Sequence, residues 1–405
     1  MNDCCIIGGG IIGLSIAREL AGRGLSVRVL SRDTREEMAS WAAVGIFPPA
    51  PTAAGMTPGE ALTAWSDRLH QEWAQELLDE TGIDNGLRRC GGLHVAADDA
   101  AMERVRREAG SWLAKGASCE VLAAAALAAA EPALAGAVAR GAVRGALLLA
   151  DEHQFRSPRQ LRALEQSCLN RGVVLTRGAD VSTISVDGGR ITGVVAAVGG
   201  VSERVEAAAY VVAAGAWSGR LAEVLGLSID TRPIRGQIVL LRLPRQPLTR
   251  IVNLGLDYLV PREDGHLLVG STLEDAGFVP VPTDAAIRRL RRVAVDLLGD
   301  VADVPPEKSW AGLRPGSPDG LPFIGRVPAL ANAFVAAGHF RAGLHQSTGT
   351  AVMIADLIQG RIPEVDPAPF APGRRGGPPG DDSVPVMLAR AAAEGASPAL
   401  APGAS

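Results

Sequence analysis

Cys4-Cys5-Ile6-Ile7-Gly8-Gly9-Gly10-Ile11-Ile12-Gly13 reads as a short apolar strand that breaks into G-x-G-x-x-G and runs on into a helix. In this motif Gly8, Gly10 and Gly13 let the backbone approach a dinucleotide pyrophosphate and turn tightly into the helix, and all three are expected at the cofactor. Ile11 and Ile12 open the helix, whose amide end favours phosphate. The motif alone is weak, but its context is complete. A helical stretch follows over Leu14 to Arg23 and a second strand over Ser26 to Leu30. The stretch predicts a Rossmann-like α/β domain that binds a dinucleotide.

The end of the second strand bears on which dinucleotide. An acid is expected about 20 residues after the glycines, on the adenosine ribose. Ser31 fills that slot, and its hydroxyl can still hydrogen-bond a ribose. Asp33 could replace the acid through a shifted loop, and Arg32 would suit a 2′-phosphate. The opening motif therefore leaves FAD and NAD(P) both open.

At 405 residues the chain has the length of two or three domains. Its formal net charge of −4 gives no reason to expect nucleic acid or an anionic membrane surface as partner. No apolar run reaches the ~18 residues of a membrane span. The five cysteines are scattered without C-x-x-C spacing, which reads as reduced thiols in a cytoplasmic protein and offers no metal set.

Further along, residues 38–55 are rich in Ala, Gly and Pro and resemble a loop crossing a ligand. Leu62, Trp65, Leu69, Trp73 and Leu77 recur at helical spacing and predict a helix packed on the core. Ala100 to Ala133 reads as mostly helical, broken near Pro132. Arg156-Ser157-Pro158 opens a helix to Arg171, and Tyr210 to Ala214 is a buried strand ending at Gly215. Segments 86–97 and 235–272 alternate strand and turn like an antiparallel sheet. Arg288, Arg289, Arg291 and Arg292 lie off the apolar stripe of their helix, as a solvated face would. The expected organisation is a discontinuous dinucleotide domain (1–85, 150–225, 310–370), a substrate or cap domain (86–149, 226–309), and a tail without order (371–405).

Two late motifs narrow the choice of cofactor: Ser309-Trp310-Ala311-Gly312-Leu313-Arg314-Pro315-Gly316-Ser317-Pro318-Asp319-Gly320-Leu321-Pro322-Phe323-Ile324-Gly325 and Ala337-Gly338-His339-Phe340-Arg341-Ala342-Gly343. Together they resemble bacterial glycine oxidase, within the D-amino-acid-oxidase-like group of FAD enzymes. The likeness continues through Ser40-Trp41-Ala42, Gly236-Gln237-Ile238, Tyr258 to Arg262 and Val269 to Glu274, and it reaches Val365 to Phe370. It implies a two-domain flavoprotein in which an antiparallel sheet roofs the substrate pocket. FAD contacts are implied at Ala39, Ser40, Val44, Gly45 and Ile46, at Val181 for the adenine, at Gly215, and along His339, Phe340, Arg341, Ala342, Gly343, Leu344 and His345. Covalent relatives use a cysteine in the C-terminal domain. Here Cys168 is the last cysteine, so non-covalent FAD is expected.

The same resemblance implies a small amino-acid or amine substrate, its carboxylate held by Arg314 with Tyr258 donating a hydrogen bond and Arg341 close by. A guanidinium fork suits a carboxylate because it offers two parallel charge-assisted hydrogen bonds. Oxidative deamination follows: imine, then 2-oxo acid and ammonia, with oxygen as acceptor giving hydrogen peroxide. Supply of glycine imine for the thiazole of thiamine is the family's role. The alternatives are a dehydrogenase passing electrons to a partner or quinone, as in cyanide-forming glycine dehydrogenase, and a flavin-binding protein without turnover. Association of like chains is left open. The chain departs from the family at the polar stretch Leu344-His345-Gln346-Ser347-Thr348 and in the loop Ala43-Val44-Gly45. His153 reads as a turn or cap residue.

Overall fold

The computed structural model describes residues 1–32, 38–374, 377 and 379–395. Asp33, offered above as a substitute acid, lies outside them. Two sheets organise the chain. The first has six strands in the order Phe323–Arg326, Ala333–Ala337, Ala207–Val212, Asn2–Ile7, Val27–Ser31, Val174–Arg177. All neighbours are parallel except the first pair. A parallel sheet needs both faces covered, and the pleat sorts the opening strand accordingly. Cys4 and Ile6 face the helices Ile11–Gly22, Ser157–Asn170 and Ser347–Ile358. Cys5 and Ile7 face a three-stranded antiparallel sheet through Ile184, Ile191 and Val194.

The second sheet has eight strands: Pro306–Gly316, Arg232–Arg242, His266–Gly270, Asp257–Pro261, Ile251–Leu254, Gly92–Ala96, Gly145–Leu149, Cys119–Ala123. It is antiparallel except where Ile251–Leu254 runs beside Gly92–Ala96. The helix Asp284–Leu298 buries Leu290, Ala294 and Leu297 against Val239, Leu241, Leu259 and Leu267 of this sheet. Of its arginines, Arg289 pairs with Asp257, and Arg291 donates to Ala302 O and Val304 O. Among the described residues no helix is long and apolar enough to cross a membrane.

The structure adds detail to three of these expectations. The Ala-rich stretch is helical over Asp99–Ala114 and Ala124–Ala130, but Cys119–Ala123 between them is an edge strand. The alanines favour a helix, yet pairing with Gly145–Leu149 wins locally. The strand Pro306–Gly316 stays in the eight-stranded sheet throughout, so residue 310 falls inside one strand. We accordingly place that domain boundary beyond Gly316. Finally, the stretch expected as a tail without order contains a helix, Val384–Gly395. Val384 and Met387 are buried against Ile234 and Phe340. Two apolar side chains one turn apart suffice to dock it, a signal hidden by the Pro and Gly around it.

Candidate active site

A cavity of about 1540 Å³ lies between the sheets. This exceeds the roughly 300–1,000 Å³ of an ordinary small-ligand pocket. At one end it is walled by Gly8, Gly10, Ile11 and Ile12, with Ser31, Arg32, Val181 and Gly215 beside them. Gly13 does not line it. A Cβ there would fall 1.9 Å from Gly8 O, so Gly13 acts by letting the helix close on the turn. The helix Ile11–Gly22 starts at Gly10, which carries no capping side chain. Ser40 supplies one substitute, its Oγ accepting from Ile11 N at 3.0 Å. Arg32 packs its guanidinium 4.3 Å from the centre of the Trp217 ring, and Trp217 also lines this end. The sequence reading passed over Trp217, which sits two residues after Gly215 in a 3₁₀ turn.

The middle of the cavity is bounded by Ala39, Ser40, Val44, Gly45 and Ile46 on one side and by His339 to His345 on the other. Arg262 fixes the first loop. Its buried guanidinium donates to Val44 O at 2.5 Å, to Phe155 O at 3.3 Å, and to Gln154. Burial, with Arg156 nearby, pushes its pKa down to about 9. The second loop is held by Phe340 N donating to Pro315 O at 2.8 Å. Phe340 has φ +48°, unusual for a residue with a side chain, and its ring is clamped by Ile234, Val384 and Met387. His339 is buried and hydrogen-bonded to Thr350 Oγ1 at 2.9 Å, and burial pushes its pKa down to about 3.

At the roof, Arg314, Tyr258 and Arg341 all reach the cavity. Arg314 donates to Thr272 O at 3.1 Å and Ser271 Oγ at 2.8 Å. Burial lowers its pKa, Tyr258 opposes that effect, and Arg341 adds to it, so the three groups feel one another. Arg314 lies flat over Gly236, where a Cβ would sit 2.1 Å from its Nη1. Tyr258 lies on one rung of the sheet with Asn253 and His94, in adjacent strands. Asn253 donates to Glu152 Oε1 at 3.0 Å, and His94 Nε2 lies 2.8 Å from Glu152 Oε2. Burial lowers the His94 pKa, but Glu152 outweighs it and the net shift is upward. All three groups line the cavity and were missed above. Strand register puts Asn253 and His94 beside Tyr258, and register is not written in any one segment.

Behind the second loop, His345 Nε2 lies 3.0 Å from Asp67 Oδ1, and His153 Nε2 lies 3.2 Å from the same oxygen. Burial raises the Asp67 pKa, but the two histidines hold it well below the usual carboxylate range. Burial lowers the His345 pKa against the pull of Asp67. His153 is thus part of this cluster and more than a turn residue.

These surroundings fit a flavin dinucleotide. The glycine turn and the helix amide end after it close one extremity, two loops flank the middle, and cationic donors close the other. A glycine-turn α/β sheet facing an antiparallel roof defines a two-sheet flavoprotein oxidoreductase. The chain belongs to the FAD-dependent oxidoreductase (DAO) family, whose model matches residues 3–357. It is 38% identical over 372 residues to glycine oxidase of Pseudomonas aeruginosa, covering 91% of this chain and 98% of that protein. It is 31% identical to hydrogen cyanide synthase subunit HcnC of the same species, covering 92% and 96%. The crystal structure of glycine oxidase from Geobacillus kaustophilus superposes with a TM-score of 0.85 at 31% identity, covering 93% of this chain and 99% of that one.

Proposed function

We propose that the chain oxidises the α-amine of glycine or a comparably small amino acid, with molecular oxygen as acceptor. FAD, bound without a covalent link, supplies the two-electron oxidising power. The observation that carries this reading is the gathering of Arg314, Tyr258 and Arg341 at the roof of a cavity whose far end is the glycine turn. Arg314 accepts the substrate carboxylate in a bidentate grip, each charge-assisted hydrogen bond contributing on the order of 1.5–3 kcal/mol. Thr272 O and Ser271 Oγ hold the fork in place before substrate arrives. Tyr258 adds a phenolic donor, and the exposed Arg341 draws the anion in from the mouth.

With the carboxylate fixed, the substrate's Cα–H is directed toward the cavity's middle, between the 44–46 and 339–345 loops. The chain's part is orientation and exclusion of water. The substrate loses a hydride from Cα and a proton from nitrogen, giving the imine. Water converts the imine to 2-oxo acid and ammonia, and the two electrons reduce oxygen to hydrogen peroxide. The likeness to HcnC supports a second reading, in which the electrons pass to another acceptor. Supply of an imine for thiamine thiazole is the pathway role the resemblance suggests. All five cysteines are free, in keeping with a cytoplasmic setting.

Anaerobic bleaching of the flavin by glycine, sarcosine and small D-amino acids tests the reaction. Comparing peroxide yield with reduction of an artificial acceptor separates the two readings. Failure of every substrate to bleach the flavin refutes both.

A further inference from the structure

We propose that Asp67, His153 and His345 bind a divalent metal ion, zinc by the chemistry of the set, which staples the wall of the cofactor cavity to the core behind it. The three come from segments far apart in the chain. Asp67 lies in the helix Pro58–Thr81, His153 in the strand His153–Gln154, and His345 in the loop leading to the helix Ser347–Ile358. Each offers one ligand atom, and the three atoms lie within 4.8 Å of one another. A tetrahedral zinc with bonds of about 2.0–2.1 Å spaces its donors about 3.4 Å apart. Both histidine Nε2 atoms, at 3.0 and 3.2 Å from Asp67 Oδ1, are close to that spacing.

The other contact of His153 suits a ligand role. Its Nδ1 lies 3.2 Å from Asp151 O, and a ligating imidazole commonly has its second nitrogen bonded to a backbone carbonyl. Two imidazoles and one carboxylate suit zinc better than magnesium or calcium, which prefer oxygen donors. The rings are rigidly seated. Phe47 stacks on His345 at 4.3 Å and 7°, and meets His153 edge-on at 5.1 Å. Because His345 adjoins Leu344 on the cavity wall, the ion would fix the 339–345 loop against the helix that carries Asp67. This also gives a purpose to His345 in the polar stretch 344–348, and it replaces the expectation of no metal.

The test is metal analysis of the desalted holoprotein by inductively coupled plasma mass spectrometry, for wild type, Asp67→Asn and His345→Leu, with melting temperature recorded as a check on folding. The expected result is about one zinc per wild-type chain, falling at least about tenfold in both variants. X-ray absorption at the zinc edge of the wild type, which depends on no variant, should show two imidazoles and oxygen donors. Two results overturn the proposal. One is wild-type protein that holds no zinc as purified and retains none after incubation with zinc chloride and desalting. The other is a zinc content equal in all three proteins, or an absorption shell without two imidazoles.

Discussion

Gly236→Ala is the most discriminating perturbation of the proposed substrate grip, because it alters no formal charge and acts on Arg314 by crowding alone. A methyl at this position would lie 2.1 Å from Nη1 and 2.3 Å from Cζ and Nη2 of Arg314. Ordinary contact needs about 3.5–4.0 Å, so the guanidinium must move by about 1.5 Å. The atoms displaced are the far end of a flexible side chain, and the strand itself can keep its pairing with Pro306–Gly316. Hydrogen bonds to charged groups tolerate little of such a shift, since donor and acceptor must stay within about 2.7–3.2 Å. Losing one arm of a bidentate grip costs on the order of 1.5–3 kcal/mol, which is about a 10- to 150-fold loss in kcat/KM. The assay is steady-state peroxide formation with glycine, with FAD content and melting temperature as controls. An activity within about threefold of wild type, at unchanged flavin content, would refute the assignment of Arg314 as the carboxylate anchor.

Arg314→Ala removes both arms and leaves the substrate carboxylate only Tyr258 and the exposed Arg341, so kcat/KM should fall by more than about 100-fold while FAD stays bound. Steady-state kinetics with absorbance of the retained flavin checks this. Gly8→Ala places a Cβ 2.2 Å from Ala213 O at φ +123°, so the purified variant should lack FAD, as a spectrum of the protein would show. Met387→Asp should undock the terminal helix and free Phe340 from its φ of +48°. That strain is on the order of 1–2 kcal/mol, so FAD should bind about tenfold more weakly by fluorescence titration, with little change in melting temperature. His339 has a folded pKa pushed down to about 3 by burial, against about 6.5 unfolded. The unfolded chain therefore binds the extra proton, and stability falls as pH drops from about 6.5 toward 3. The loss at pH 5 is about 2 kcal/mol. Urea melts of wild type and His339→Asn at pH 7 and pH 5 should show the smaller pH dependence in the variant.

The opening strand, turn and helix were legible because each signal is local: an apolar run, three glycines at fixed spacing, and a helix start. The roof residues Arg314 and Tyr258 could be named only because whole motifs resembled a family. Asn253 and His94 could not, because they meet through the register of strands distant in sequence, and Glu152 reaches them from a turn after another strand. The pairing of Asp67 with His153 was hidden too, because it joins a helix to a distant strand, and His153 in its own segment looks like a turn residue. The tail helix was missed because two buried side chains, Val384 and Met387, dock it in a stretch whose composition reads as disorder.

Anaerobic mixing of the purified holoprotein with glycine, followed by flavin absorbance, tests the central claim most directly. The account predicts full bleaching in the wild type, return of the colour with peroxide once oxygen is admitted, and a rate lowered by more than about 100-fold in Arg314→Ala that still holds its FAD. A flavin that glycine and its small relatives leave oxidised, or an Arg314→Ala protein that bleaches at the wild-type rate, would contradict it.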